Sequence, residues 1–107
     1  MSDAPQDRLR VDRWLWFTRF YKTRTLASDA VAGGHVRVNG KRATPGQRVA
    51  CGDRISLVKK QLPWEVEITR IPARRGPARE AEACYREKDA ARARREALGQ
   101  QLKATAG

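Results

Sequence analysis

Apolar residues at Val11, Trp14, Leu15 and Tyr21, with Thr18 between them, recur at the spacing of one helical face. The stretch from Arg8 to Tyr21 is therefore predicted to be a helix with that face turned to a core. Trp16, Phe17 and Phe20 lie off the stripe, and on a helical wheel Phe17 and Phe20 fall beside Arg10 and Arg13. Such a surface predicts either a second packing partner, such as the C-terminal segment, or aromatic stacking on exposed bases. Lys22-Thr23-Arg24 breaks the period. Thr25 is then suited to cap a second helix through Leu26, Ala27, Ala30 and Val31, which Gly33-Gly34 ends.

From His35 the period changes from helix to strand. His35-Val36-Arg37-Val38 alternates polar and apolar, Asn39-Gly40 is a strong signal for a type I′ hairpin turn, and Lys41 to Thr44 forms the return strand. The hairpin is expected to present His35, Arg37, Lys41 and Arg42 outward. A loop from Pro45 to Ala50 and a turn at Cys51-Gly52-Asp53 lead into a strand at Ile55 to Val58. Leu62-Pro63-Trp64 reads as a turn, Glu65 to Ile71 as an alternating strand, and Cys51 as a small buried or half-buried residue.

Residues 72–79 (PARRGPAR) read as a linker. From Glu80 to Leu102 the composition favours an exposed helix, with Glu82/Arg86 and Arg92/Glu96 at i,i+4 spacing and a thin apolar stripe of Cys84, Tyr85, Ala91, Leu98 and Leu102. The expected organisation is a disordered leader over residues 1–7, a domain over 8–71, a linker over 72–79 and a basic helical tail over 80–107. The fold class is α+β, with two helices followed by a hairpin and further strands.

Charge points to the chemistry. The 107 residues carry a net charge of +11, and residues 8–42 hold nine Lys or Arg against two acids, a local net of +7. Concentrated cations favour a polyphosphate partner, because each neutralised phosphate releases counterions. Arg24 beside the start of the second helix is a suitable seat for one phosphate. Arg92, Arg94 and Arg95 form a further basic turn that could add such contacts, whereas Glu65 and Glu67 point to a strand lying away from the nucleic acid.

No apolar run is long enough to span a bilayer, and the N-terminus lacks the pattern of a signal peptide. Two cysteines without metal spacing and a single histidine, His35, predict reduced thiols in the cytoplasm, no metal and no cofactor. No nucleophile elbow, phosphate loop or triad order is present, so no catalytic residue is assigned and His35 is a candidate RNA contact.

The order RVDRWLW, then KTRTLASDAVAGGHVRVNGKR, then CGDRISL resembles the RNA-binding module first known from small-subunit ribosomal protein S4. The shared features are a helix opening with Arg-x-Asp, a basic turn before the second helix, Gly34, Val36, Val38, Asn39 and Gly40 in sequence, and a Gly-Asp ahead of a strand. The resemblance implies the alpha-L arrangement, an α+β fold in which two helices pack on a small, mostly antiparallel sheet and RNA is held by the helix pair and the first hairpin. Carried over by position, the RNA-binding residues are Arg10, Arg13, Lys22, Arg24, Thr25, His35, Arg37 and Lys41, with Asp12 orienting or pairing with neighbouring arginines.

A stand-alone module with this tryptophan-rich first helix and a basic tail resembles the small ribosome-associated heat-shock proteins of bacteria. That likeness implies a monomeric, non-enzymatic protein that binds ribosomal RNA on the free large subunit. Its other implied partner is the tRNA of a stalled nascent chain; the same charge allows weaker DNA binding. The second helix carries few side chains able to read base edges, which disfavours sequence-specific DNA recognition.

Overall fold

Val11, Trp14 and Leu15 are fully buried, as their spacing requires, but the helix that carries them, α1 (Val11–Phe17), is shorter than the periodicity predicts. The Thr18 hydroxyl turns back to donate to the Trp14 carbonyl at 2.7 Å, and Arg19 takes a left-handed backbone with φ of 66°. Arg19 N–H then donates to Trp16 O and Phe20 N–H to Leu15 O, the paired bonds of a Schellman stop with arginine where glycine is usual. The Arg19 guanidinium is anchored on the Gly76 carbonyl at 2.8 Å. This stop swings Phe20 inward, where it is 3% exposed.

The computed structural model, which is the structure described throughout, covers residues 8–59 and 61–106. The expected disordered leader at residues 1–7 and the side chain of Leu102 lie outside the described residues. β1 (Leu9–Arg10) pairs with β4 (Arg48–Val49), and Val11 N–H donates to Gln47 O, which fixes where α1 begins. The second helix, α2 (Arg24–Ala32), starts two residues earlier than expected. Its cap is Thr23, whose hydroxyl accepts from Leu26 N–H at 3.1 Å, and not Thr25, which is exposed inside the first turn. Either threonine has the right chemistry, and the break after α1 selects the first. Gly34, at φ of 80°, ends α2, and Arg42 donates to the freed Ala32 carbonyl at 2.9 Å.

Five antiparallel strands form the main sheet in the order β3-β2-β5-β6-β7: β2 (Val36–Val38), β3 (Lys41–Arg42), β5 (Arg54–Lys59), β6 (Leu62–Ile68) and β7 (Tyr85–Glu87). Asn39 and Gly40 both take positive φ, as the predicted turn demands, and the Asn39 side chain also bonds Asp53 and the Arg54 N–H, tying the hairpin to β5. Val36, Val38, Ile55, Leu57, Val66 and Ile68 share one face and form a single core with Trp14, Leu15, Ala27 and Val31. The predicted turn at Leu62-Pro63-Trp64 is instead the start of β6, paired residue by residue with β5, and β6 stops at Ile68 and not at Ile71. Cys51 is exposed and not buried.

The C-terminal part departs furthest from its composition. The expected continuous helix from Glu80 to Leu102 is instead α3 (Ala78–Glu82), then β7, then α4 (Asp89–Ala106). Ala81 and Cys84 are buried, and β7 adds to the sheet through Val66 opposite Glu87, Glu67 opposite Arg86 and Ile68 opposite Tyr85. The open edge of β6 and the aromatic ring of Tyr85 outweigh helical propensity here. Arg86 accordingly pairs with Glu67 at 3.4 Å across the strands, so the predicted Glu82/Arg86 helix pair does not form, whereas Arg92 and Glu96 do pair at 3.1 Å.

Phe20 sits at the centre of the resulting aromatic cluster, with ring centroids 4.9 Å from Tyr85, 5.5 Å from Trp64 and 6.0 Å from Trp14. Of its two predicted uses, packing on the C-terminal segment is the one realised. Trp64 is covered on another side by the Arg95 guanidinium, 3.8 Å from the ring centroid, and Arg95 is itself paired with Glu87. Residues 72–79 contain no regular element before α3, yet Arg75 donates to Trp16 O and Arg19 to Gly76 O, so this stretch is strapped to α1.

Candidate nucleic-acid interface

The start of α1 is organised by Asp12, which is only 3% exposed. Arg10 grips it with two bonds, Nε to Oδ1 at 3.2 Å and Nη2 to Oδ2 at 3.1 Å, and the Arg13 N–H donates to Oδ1 at 2.7 Å. Burial pushes the Asp12 carboxyl up, but the Arg10 bonds and charge, the Arg13 amide and the charge of Arg24 outweigh it and leave the group below its ordinary range. Asp12 therefore stays ionised, bonded by Arg10 at the end of β1 and influenced by the charge of Arg24 at the start of α2.

This arrangement has a definite pH signature. A depressed carboxyl contributes stability that is fully present above its unfolded value, about 3.9, and is lost as pH falls through the lower folded value. Asp12→Asn is expected to cost about 1–3 kcal/mol at pH 7, and the gap from the unsubstituted protein should shrink as pH falls below about 4. Urea melts at several pH values check this; a gap that stays constant down to about pH 2 would remove the carboxylate from the account.

The nine cations of residues 8–42 divide by what they touch. Arg10, Arg19 and Arg42 are occupied by Asp12, the Gly76 carbonyl and the Ala32 carbonyl. Arg8, Arg13, Lys22, Arg24, Arg37 and Lys41 make no side-chain hydrogen bond or ion pair with any described residue. Folding thus commits three cations to architecture and leaves six available to a partner. Lys22 and Arg24 flank the capped start of α2, where uncompensated N–H groups already favour an anion. The hairpin begins at the far end of α2, roughly 13 Å away along nine residues.

The predicted contacts do not all share one side of the sheet. Lys41 is paired with Val38 and so stands on the helix-facing side, whereas Arg37 is paired with Arg42 on the opposite face. Arg10, Arg13, Lys22, Arg24, Thr25 and Lys41 belong to the helix side. His35 and Arg37 border the other face, next to α4. Arg8 is absent from the predicted set; it stands exposed at the chain entry to β1, without a side-chain hydrogen bond or ion pair among the described residues. The basic turn of α4 is also split: Arg92 and Arg95 have acidic partners, and Arg94 has none among the described residues.

Glu65 and Glu67 do face away from the core, where Lys88 and Arg86 neutralise them at 3.8 and 3.4 Å. Among the described residues no group of three His, Cys, Asp or Glu is placed to hold a metal ion, and no helix is long and apolar enough to cross a membrane.

Residues 9–55 match the S4 domain family. The chain is 41% identical over 83 residues to a heat shock protein 15 homolog of Aeromonas salmonicida, covering 78% of this chain and 63% of that relative. It thus spans a little under two thirds of that relative's length. A shorter match of 36% identity, over 59% of this chain and 72% of the relative, is to the RQC P-site tRNA stabilizing factor of Halalkalibacterium halodurans. Among solved structures, the trimeric heat shock protein 15 of Vibrio cholerae superposes with a TM-score of 0.84 at 39% identity, over 88% of this chain and 95% of that one.

Proposed function

The chain belongs to the heat shock protein 15 family of S4-domain proteins, and from that premise we propose that it binds structured ribosomal RNA on the free large ribosomal subunit. There it assists the recycling, under heat stress, of subunits stalled with a nascent chain. The observation that carries RNA binding is the set of six cations in residues 8–42 that folding leaves without a side-chain hydrogen bond or ion pair among the described residues. The name of the Halalkalibacterium relative supports a contact with the tRNA of the stalled chain as well.

The protein acts by occupancy, with no chemical step. Phosphates seat at the start of α2 between Lys22 and Arg24, with Arg13 alongside and Lys41 extending the track. Recognition rests on shape, since the deep groove of A-form RNA hides its base edges from side chains. The setting is cytoplasmic. A net charge of +11 opposes self-association, so the working form is a monomer; light scattering checks this, and a trimer like that of the Vibrio relative would overturn it.

The deciding experiment is sedimentation of the tagged protein through a sucrose gradient of cell lysate at low and moderate salt, beside an RNA-stripped sample. The expected result is co-migration with the free large subunit, lost on stripping. Protein that stays at the top of the gradient while binding messenger RNA or duplex DNA would end the ribosomal role.

A further inference from the structure

Strand alternation sends Arg37, Ser56, Val58 and Glu65 to the sheet face opposite the core. α4 runs along β6 beside this face without closing on it. Where a helix packed on a sheet usually carries large aliphatic side chains, α4 has Ala90, Ala91 and Arg94, and a cleft of about 580 Å³ remains between helix and sheet. Val58 in its wall is 60% exposed, an unusual position for a large aliphatic residue in the wall of a cleft. His35 and Arg37 border the cleft from the hairpin and Arg94 from the helix, and neither arginine has a hydrogen-bond or ion-pair partner among the described residues.

The geometry points to a seat for one unpaired RNA nucleotide, its base against Val58, Pro63 and Ala91 and its phosphates held by Arg37 and Arg94. The volume lies within the range of small-ligand sites, which pair apolar walls with a few convergent polar groups. Guanidinium groups suit this use twice over, because they bind phosphate through a planar fork and stack on bases. The one acid in the lining, Glu65, is matched by Lys88 at 3.8 Å, so an incoming phosphate meets uncompensated positive charge.

The cleft is also continuous with the surface that holds the stem. His35 and Arg37 sit on the hairpin whose other face carries Lys41, at the end of α2 remote from Arg24. A strand leaving a stem gripped by the two helices crosses that hairpin and reaches the cleft. This placement favours RNA over an acidic peptide as the occupant, and the inference rests on the RNA-binding reading above.

The test is fluorescence anisotropy of the full chain with two probes, a blunt RNA hairpin and the same hairpin with a short single-stranded extension. The extended probe should bind about 5- to 10-fold more tightly. Arg94→Ala and Val58→Asp, both at exposed positions, should reduce that advantage to less than about twofold while leaving the blunt hairpin unaffected. Equal affinity of the unsubstituted protein for the two probes would sink the cleft and leave the stem-binding surface standing. So would a weakening in the variants that is the same for both probes. If neither probe binds, the RNA reading and the cleft fall together.

Discussion

A chain ending at residue 79 should lose its cooperative fold. The cut removes β7, which leaves the β6 edge unpaired along Val66, Glu67 and Ile68, and it removes the buried residues Ala81 and Cys84. It also takes away Tyr85, 4.9 Å from the Phe20 ring and 6.4 Å from Trp14, and the Arg95 cover over Trp64. Tyr85 is half-buried, so truncating it costs less than the roughly 3–5 kcal/mol of a fully buried aromatic, about 2–3 kcal/mol, against a total stability of roughly 5–15 kcal/mol for a domain of this kind. Tyr85→Ala alone is therefore expected to lower the melting temperature by about ten degrees or more, at about 4–8 °C per kcal/mol. A chain ending after Leu98 retains all of these interactions and should melt like the full protein. Near-UV circular dichroism and thermal melts of the three variants decide it; a residue-79 truncation with a native near-UV spectrum and an unchanged melt would show that the sheet is complete without β7.

Replacing Arg13 and Arg24 together with Ala should weaken binding to a structured rRNA fragment by about one to two orders of magnitude at moderate salt. Every phosphate left without its cation lowers the slope of log K against log salt by about 0.7–0.9, so the double variant should flatten that slope by about 1.4–1.8. Neither side chain has a hydrogen-bond or ion-pair partner among the described residues, so the melting temperature should move by no more than about 2 °C. Filter binding across a salt series reads both quantities of binding, and a thermal melt the third. An unchanged slope would take the helix-side cations out of the interface, and a large drop in melting temperature would mean that the Arg24 charge near Asp12 holds the helices together instead of holding RNA.

The helix pair, the hairpin and the core valines are readable from the chain because each is encoded locally. Periodicity gives Val11, Trp14 and Leu15, a capping threonine and two glycines bound α2, and Asn39-Gly40 dictates its turn. What escapes the sequence depends on distant partners. α1 stops at Phe17 because Phe20 has Tyr85 and Trp64 to pack against, and no window around residue 20 contains either of them. Tyr85 leaves a helical composition because β6 offers an edge.

Counting charges locates the basic surface, but not the division of labour within it. Arg10 beside Asp12 can be paired from the sequence. The commitment of Arg19 to Gly76 and of Arg42 to Ala32 needs the folded backbone, as does the separation of Arg37 from Lys41 onto opposite faces.

The two edges of the sheet bear on how this protein behaves in a crowded solution. One edge is β3, two residues long and consisting of Lys41 and Arg42; the other is β7, three residues long with Arg86 at its middle. Short edges that carry cations offer a poor template for strand addition by another chain, and approaching copies repel one another before their backbones can register. Any self-association of this protein must therefore proceed through side-chain surfaces and not through extension of the sheet, which closes the commonest route from a small β-containing domain to fibrils.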